Sequence, residues 1–299
     1  MARPAGRSIA LEFSNDVNTI YTARAGLVPI YTIAKKLKLP QAIDKICGSL
    51  RNPAYTEYQS SELVMLLMFG LLGGLYRVHH ILTSSELPFL AKLVNLTRIP
   101  VATTIARFFE RFDEEAIARY RAINFDLATK YTRKIDDFQI LVHDQSAIQK
   151  YGRHMEGVEK GYGGTLKRGS LMLQHSLIVD AGSHMILHTE IREGSAYSFR
   201  GATDEMAVVL SKTDNTTTPR LVLADSAYGA GAYMRLCDSH NTQFILALKN
   251  DTWMKKELEL LDFKNFKHGK NNQEYGYREF EADREVWNSE RPKDPMALG

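Results

Sequence analysis

The chain has 299 residues and a mass of 33.9 kDa, with 44% hydrophobic and 24% charged residues. Those proportions exclude a wholly disordered chain and a collagen-like one, and the length suits two domains or one large domain with an appendage. Two cysteines, Cys47 and Cys237, exclude a disulfide scaffold and a four-cysteine zinc site, and read as free thiols in a reducing cytosol. The net charge is +3 with a pI near 8.7. Residues 1–100 carry 11 Lys/Arg against 6 Asp/Glu, whereas residues 251–299 carry 9 against 11, so the basic excess is N-terminal. Such an excess suits a phosphate-binding surface, although an ordinary solvated one is the plainer reading of charge alone.

Residues 1–16 hold basic groups but no apolar run, so no secretory signal is read there. Leu27 to Leu37 has a helical apolar period and ends in Lys35, Lys36 and Lys38, which suit a helix C-terminus. Asn52-Pro53 marks a turn. Ser60-Ser61-Glu62 offers a cap and an early acid before the apolar run from Leu63 to Tyr76. That run is about 14 residues, short of the roughly 20 that cross a bilayer, and predicts a central core helix. Glu86 to Asn95 predicts a short helix, broken at Thr97 to Pro100. Val101 to Phe112 predicts another, with Ile105, Phe108, Phe109 and Phe112 on one stripe and Arg107 and Arg111 off it. Helix, turn and helix with exposed arginines is similar to a helix-turn-helix, and equally to a plain helical hairpin. Asp113-Glu114-Glu115 begins a helix expected to run to about Lys134.

The character changes at residue 136. Short apolar runs at Phe138–His143, Leu171–Val179, Met185–Ile191, Leu221–Ala224 and Phe244–Leu248 have strand length and are separated by turns such as Asp180-Ala181-Gly182. Helices are expected over Gly201–Lys212, with Asp204 and Glu205 early and Lys212 late, and over Ala230–His240. Asp251–Leu261 is a further helix candidate, Lys264–Gln273 reads as loop, Glu274–Trp287 as exposed strand, and residues 290–299 as a loose tail. The reading is therefore a helical region over 1–135 and an α/β region over 136–299.

Two of the strands end alike, at His143-Asp144 and Ala224-Asp225. In open α/β sheets, sites lie beyond the carboxyl ends of strands. If these strands are neighbours, two carboxylates converge, and a divalent cation relieves their repulsion. A pair of Mg²⁺ ions can then activate water for phosphodiester cleavage. The plainer reading of each Asp alone is a cap on the following helix. No serine-centred nucleophile elbow, H-E-x-x-H or P-loop lysine competes. Gly229-Ala230-Gly231 follows a strand but lacks the rest of a dinucleotide fingerprint. The basic, aromatic segment from Tyr151 to Gly164, with Arg153 and Lys160 and with Lys167 and Arg168 beyond it, suits a phosphate backbone, or is a plain connecting loop.

Asp144-Gln145-Ser146, Tyr151-Gly152, Glu159 to Tyr162 and the strand at Leu171 together resemble the first-aspartate block of bacterial insertion-sequence transposases of the DDE type. Arg192-Glu193-Gly194 with Ser198 to Ala202 resembles the loop that follows it. Leu221 to Tyr228 with Phe244 to Lys249 resembles the second-aspartate block. Leu63–Gly74, Leu82–Leu93 and Pro100–Phe112 are similar to the N-terminal region of that family, so the resemblance spans roughly residues 20 to 290.

The resemblance implies a ribonuclease H-like mixed α/β sheet with flanking helices, preceded by an all-α region that binds DNA. It implies Mg²⁺-dependent hydrolysis at transposon ends, with Mn²⁺ able to substitute, and strand transfer into target DNA. Asp144 and Asp225 would be catalytic and metal-binding. Arg107, Arg111, Arg153, Lys160, Lys167 and Arg168 would contact DNA. The partners would be terminal inverted repeats, target DNA and a second copy of the chain, in the bacterial cytosol and with no membrane. The family's third acid is a Glu on a late helix after a largely β insertion. Glu257 and Glu259 come too soon after the fifth strand, and Glu279, Glu281 and Glu285 fall within what looks like that insertion. The third acid is thus expected beyond Gly299, and the chain is expected to be a truncated transposase with impaired catalysis. The alternatives are a DNA-end-binding remnant that inhibits the full-length enzyme, and a metal-dependent phosphodiesterase acting on small substrates.

Overall fold

The computed structural model describes residues 22–48, 50, 57–152, 154–163, 166, 167, 169–213 and 218–247, with two short strands at 267–268 and 274–275. The chain forms two compact units, residues 1–123 and 124–299. The expected helix at 251–261 and the tail at 290–299 lie outside the described residues.

The first unit is helical. It contains α1 (Leu27–Lys36), α2 (Leu39–Cys47), α3 (Ser60–Leu72), α4 (Val78–Thr83), α5 (Leu87–Leu93), α6 (Ala102–Phe109) and the start of α7 (Glu114–Thr129). Its core gathers around α3, where Leu63, Met65, Leu66 and Phe69 are fully buried with Ile43, Ile81, Leu90, Ile105 and Phe108. The start of α3 is built differently from a simple serine cap. Gln59 takes the capping position, and Glu62 accepts its backbone N–H at 2.8 Å. Ser61 donates instead, through its backbone N–H and its hydroxyl, to the Asp44 carboxylate on α2, at 2.8 Å each. The short helix α6 ends at Phe109, so Arg107 lies on it and Arg111 lies in the turn that follows. No helix among the described residues is long and apolar enough to cross a membrane.

The second unit is a mixed sheet with helices. Its strands are β1 (Gln139–Gln149), β2 (Glu159–Lys160), β3 (Leu171–Asp180), β4 (Met185–Arg192), β5 (Arg220–Ala224) and β6 (Gln243–Leu246), with α8 (Ala202–Lys212) and α9 (Gly231–Ser239) between them. The sheet order is β2-β3-β1-β5-β6, with β4 also paired to β3. β3 runs antiparallel to β1, β2 and β4, while β5 runs parallel to β1 and to β6. This is a mixed sheet with flanking helices, as the resemblance implies. A separate antiparallel pair, β7 (Lys267–His268) and β8 (Glu274–Tyr275), follows.

Period-two burial decides which face of the sheet is covered. Met172, Gln174, Ser176, Ile178 and Asp180 on β3 are all buried, and so are Leu141 and His143 on β1 and Val222 on β5. Met206, Val209 and Leu210 of α8 and Tyr233 and Cys237 of α9 join Leu141, Ile178 and Val222 in one cluster. Phe125 and Ala128, from the last turns of α7, belong to the same cluster. The change of character read at residue 136 therefore comes after α7, whose C-terminal half already belongs to the α/β core.

Arg220, at the first position of β5, is 1% exposed and ties α8 to α9. Its guanidinium donates to the carbonyls of Leu210 (2.9 Å) and Thr213 (3.1 Å) at the end of α8, and to that of His240 (2.8 Å) at the end of α9. Carbonyls at helix C-termini lack partners within the helix and attract positive charge.

Two outcomes test this packing. A Cβ on Gly70 would lie 2.5 Å from Ile81 Cδ1 and 2.6 Å from Cγ1, so Gly70→Ala should destabilise the helical unit by about 1–3 kcal/mol in urea unfolding. Arg220→Lys keeps the charge but loses the planar fork that reaches both helix ends, and should cost about 2 kcal/mol or more in the same measurement.

Candidate active site

The two aspartates meet at one rung of the sheet. The last register pair between the parallel strands β1 and β5 is His143–Ala224, and Asp144 and Asp225 are the next residue on each side. Adjacent strands lie about 4.8 Å apart, so the two residues are brought side by side. Both residues are exposed. Their settings differ. Asp225 leaves β5 into a turn, where its Oδ1 accepts the Ala227 N–H at 2.9 Å and its carbonyl accepts the Tyr228 N–H at 3.2 Å. Asp144 does not end its strand, contrary to the sequence reading. β1 continues to Gln149, because Gln145–Gln149 stay paired with β3 from Ser176 to Met172. Asp144 Oδ1 accepts the Gln145 N–H at 2.8 Å.

Tyr228 reports on the convergence. It is fully buried, its ring lies 4.4 Å from that of His143, and its hydroxyl has no hydrogen-bond partner among the described residues. Burial pushes the hydroxyl pKa up, and the charges of Asp144, Asp225 and Glu205 push it further the same way. The tyrosine thus stays neutral beside the two acids.

Below this rung lies a buried polar network that the sequence reading did not assemble. Glu205 on α8, 4% exposed, accepts from Ser176 Oγ on β3 at 2.6 Å and lies 3.2 Å from His143 Nε2 on β1. Its other oxygen pairs with Arg192 on β4. Burial raises the Glu205 pKa, but the bonds from His143 and Ser176 and the charge of Arg192 outweigh it and hold the carboxyl at about 2. For His143, burial lowers the pKa more strongly than Glu205 raises it. A carboxylate only accepts, so neutral His143 carries its proton on Nε2, and Nδ1 accepts the Tyr233 hydroxyl at 2.8 Å. The sequence marks Glu205 only as an early acid on its helix. The missed signal is that Ala202, Glu205, Met206 and Val209 form one buried helical stripe.

The loop after β4 is fitted against the sheet edge. Gly194 donates to the Gly157 carbonyl at 2.9 Å and accepts from Gln174 Nε2 at 3.2 Å. A Cβ there would lie 2.2 Å from the Met172 carbonyl oxygen and 2.5 Å from that of Glu159.

Among the expected DNA contacts, Arg107 and Arg111 are exposed in the first unit, and Lys160 on β2 and Lys167 are exposed in the second. Arg153 and Arg168 lie outside the described residues, as do Glu257, Glu259, Glu279, Glu281 and Glu285.

The mixed sheet thus carries two acids at adjacent positions, Asp144 on β1 and Asp225 just past β5. The family model described as "Transposase DDE domain group 1" matches residues 6–292, and the chain belongs to that family. No curated protein matches it. Among solved structures, the Mos1 transposase paired-end complex with left transposon end is 10% identical, covering 71% of this chain and 74% of that one at a TM-score of 0.26. The piggyBac transposase synaptic complex with hairpin DNA is 11% identical, covering 74% and 51% at 0.35. The simian T-cell lymphotropic virus intasome in complex with PP2A regulatory subunit B56 gamma is 12% identical, covering 48% and 45% at 0.25. The chain thus spans about half the length of two of these three. These are distant likenesses, and the assignment rests on the family model.

The network predicts the response to acid. Both folded pKa values lie below their ordinary ones, so each group contributes stability at higher pH that is lost on acidification. For His143 the loss begins below its ordinary 6.5, and for Glu205 it falls between 4.5 and about 2. The melting temperature should therefore fall as pH drops below about 6.5. His143→Gln should remove the first part of the decline, and Glu205→Gln should flatten the part below 4.5 while lowering stability at neutral pH. A melting temperature constant from pH 7.5 to 3 would contradict the assignment. Tyr228→Phe removes a buried hydroxyl that has no partner among the described residues, and should leave stability unchanged or raise it by up to about 1 kcal/mol.

Proposed function

We propose that this chain is a DNA transposase whose strand-cleavage site is built on Asp144 and Asp225. The observation that carries the reading is the placement of both exposed carboxylates one residue beyond the same rung of adjacent parallel strands. The residues fit a divalent cation. Each carboxylate has one oxygen engaged by a nearby backbone N–H, and the pair offers the oxygen ligands that Mg²⁺ and Mn²⁺ prefer. A cation held there would activate water and steady the leaving oxygen in phosphodiester chemistry.

The chain's own residues supply the frame. Pairing of β1 with β3 through Asp144, and with β5 up to His143, fixes Asp144. The turn from Asp225 to Tyr228 orients Asp225. The buried His143–Ser176–Glu205–Arg192 network holds β1, β3 and β4 against α8, which keeps the rung in place. Duplex DNA carrying transposon terminal inverted repeats is the proposed substrate, with target DNA as the acceptor of strand transfer and a second copy of the chain pairing the two ends. Arg107, Arg111, Lys160 and Lys167 are the proposed phosphate contacts, and their exposure supports that reading.

The test is purified protein with end-containing duplex DNA and Mg²⁺ or Mn²⁺. Weak strand nicking that disappears in Asp144→Asn and in Asp225→Asn, with DNA binding retained, is the expected result, since no third acid is assigned to the pair among the described residues. Nicking that persists in both variants would remove these residues from the chemistry. End-specific binding without nicking would favour a chain that holds ends without cutting them. Binding should weaken with salt. Lys160→Ala should reduce the slope of log K against log salt by about 0.9 if that lysine neutralises one phosphate.

A further inference from the structure

The strand β4 carries a feature that the cleavage reading does not use. Its register against β3 shifts between Ile178 and Val179. Ile178 pairs with His188 and Val179 with Ile186, which leaves Leu187 unpaired as a bulge. From His188 onward, alternation places His188, Glu190 and Arg192 on one face of the strand. Arg192 pairs with Glu205, so this is the face that meets α8.

His188 is 9% exposed, and its Nε2 has no hydrogen-bond partner among the described residues. A buried polar atom left without a partner costs about 1–3 kcal/mol unless something occupies it. Nε2 lies 3.7 Å from Glu190 Oε2. Ligand atoms of His188, Glu190 and Glu205 all lie within 4.8 Å of one another.

We propose that His188, Glu190 and Glu205 form a divalent-cation site of the zinc class, separate from the Asp144–Asp225 pair, which clamps β4 to α8. One imidazole and two carboxylates suit Zn²⁺, Co²⁺ or Ni²⁺ better than Mg²⁺, which prefers oxygen alone. Zinc takes nitrogen and oxygen ligands at about 2.0–2.2 Å, so the three atoms need to close by about an ångström. Each Glu205 oxygen has two lone pairs, so its bonds to Arg192, His143 and Ser176 do not exhaust the carboxylate. Glu190 is only half-buried, which gives the ion a path in and leaves a coordination position for water.

The experiment uses the full chain carrying Asp144→Asn and Asp225→Asn, so that the proposed cleavage site takes no metal. Zn²⁺ is titrated by calorimetry, Co²⁺ by visible absorption, and the melting temperature is read with and without Zn²⁺. One saturable equivalent is expected, with a raised melting temperature and a Co²⁺ band in the visible. His188→Gln and Glu190→Gln should each weaken binding by about tenfold or more. If His188→Gln does not fold, the half-exposed Glu190→Gln carries the test. Absence of saturable binding, or binding that neither substitution weakens, would overturn the proposal. The outcome does not depend on nicking, so it stands or falls apart from the transposase reading.

Discussion

A single buried carboxylate organises the second unit. Glu205 is charged, almost wholly removed from water, and bonded to groups from β1, β3 and β4. An ion in that position is tolerable only with its partners in place, because breaking a buried pair leaves an uncompensated charge that costs about 3–5 kcal/mol. The apolar layer around it, Leu141, Ile178, Val222, Met206 and Val209, holds α8 on the sheet without fixing its exact seat. Apolar contact is non-directional, whereas three directed polar contacts to Glu205 fix both the rotation of α8 and its position along the strands.

That seating matters because the acids are placed by register alone. Asp144 and Asp225 are adjacent only while His143 stays opposite Ala224. A slip of one residue would send Asp144 to the covered face and His143 to the open one. His143 resists the slip, since its ring is engaged on both nitrogens in the covered layer. Arg220 works from the other end of β5, gathering the C-termini of α8 and α9 at the first residue of the strand that leads to Asp225.

Much of this was legible in the residues. The apolar run at Leu63 predicts α3, short apolar runs bounded by turns predict β3 and β4, and the dipole-matched charges predict α8. The convergence of Asp144 with Asp225 was legible as a condition on strand order, which the parallel pairing of β1 with β5 meets. What escaped has physical reasons. α2 and α4 are short, and α2 begins after Lys38 in a left-handed conformation that no glycine announces. The second half of β1, Gln145–Gln149, is polar and half-exposed, so its hydrophobic signal stops at His143 although its pairing does not. The bulge at Leu187 was hidden because the run of Met185–Ile191 reads as plain strand until its partner is known. Networks of long sequence separation, such as His143 with Glu205, leave only a parity clue on each element.

The two acids are anchored with unequal stiffness. Asp144 sits within a strand paired to β3 through and beyond its position, so its backbone can open to solvent only by undoing the centre of the sheet. Asp225 stands on a turn, held by its own carboxylate and a few local bonds. Backbone amide exchange should therefore be slow around Asp144 and faster from Asp225 to Gly229. Whatever adjustment a ligand demands of this pair falls on the Asp225 side, with Asp144 as the fixed point from which it is measured.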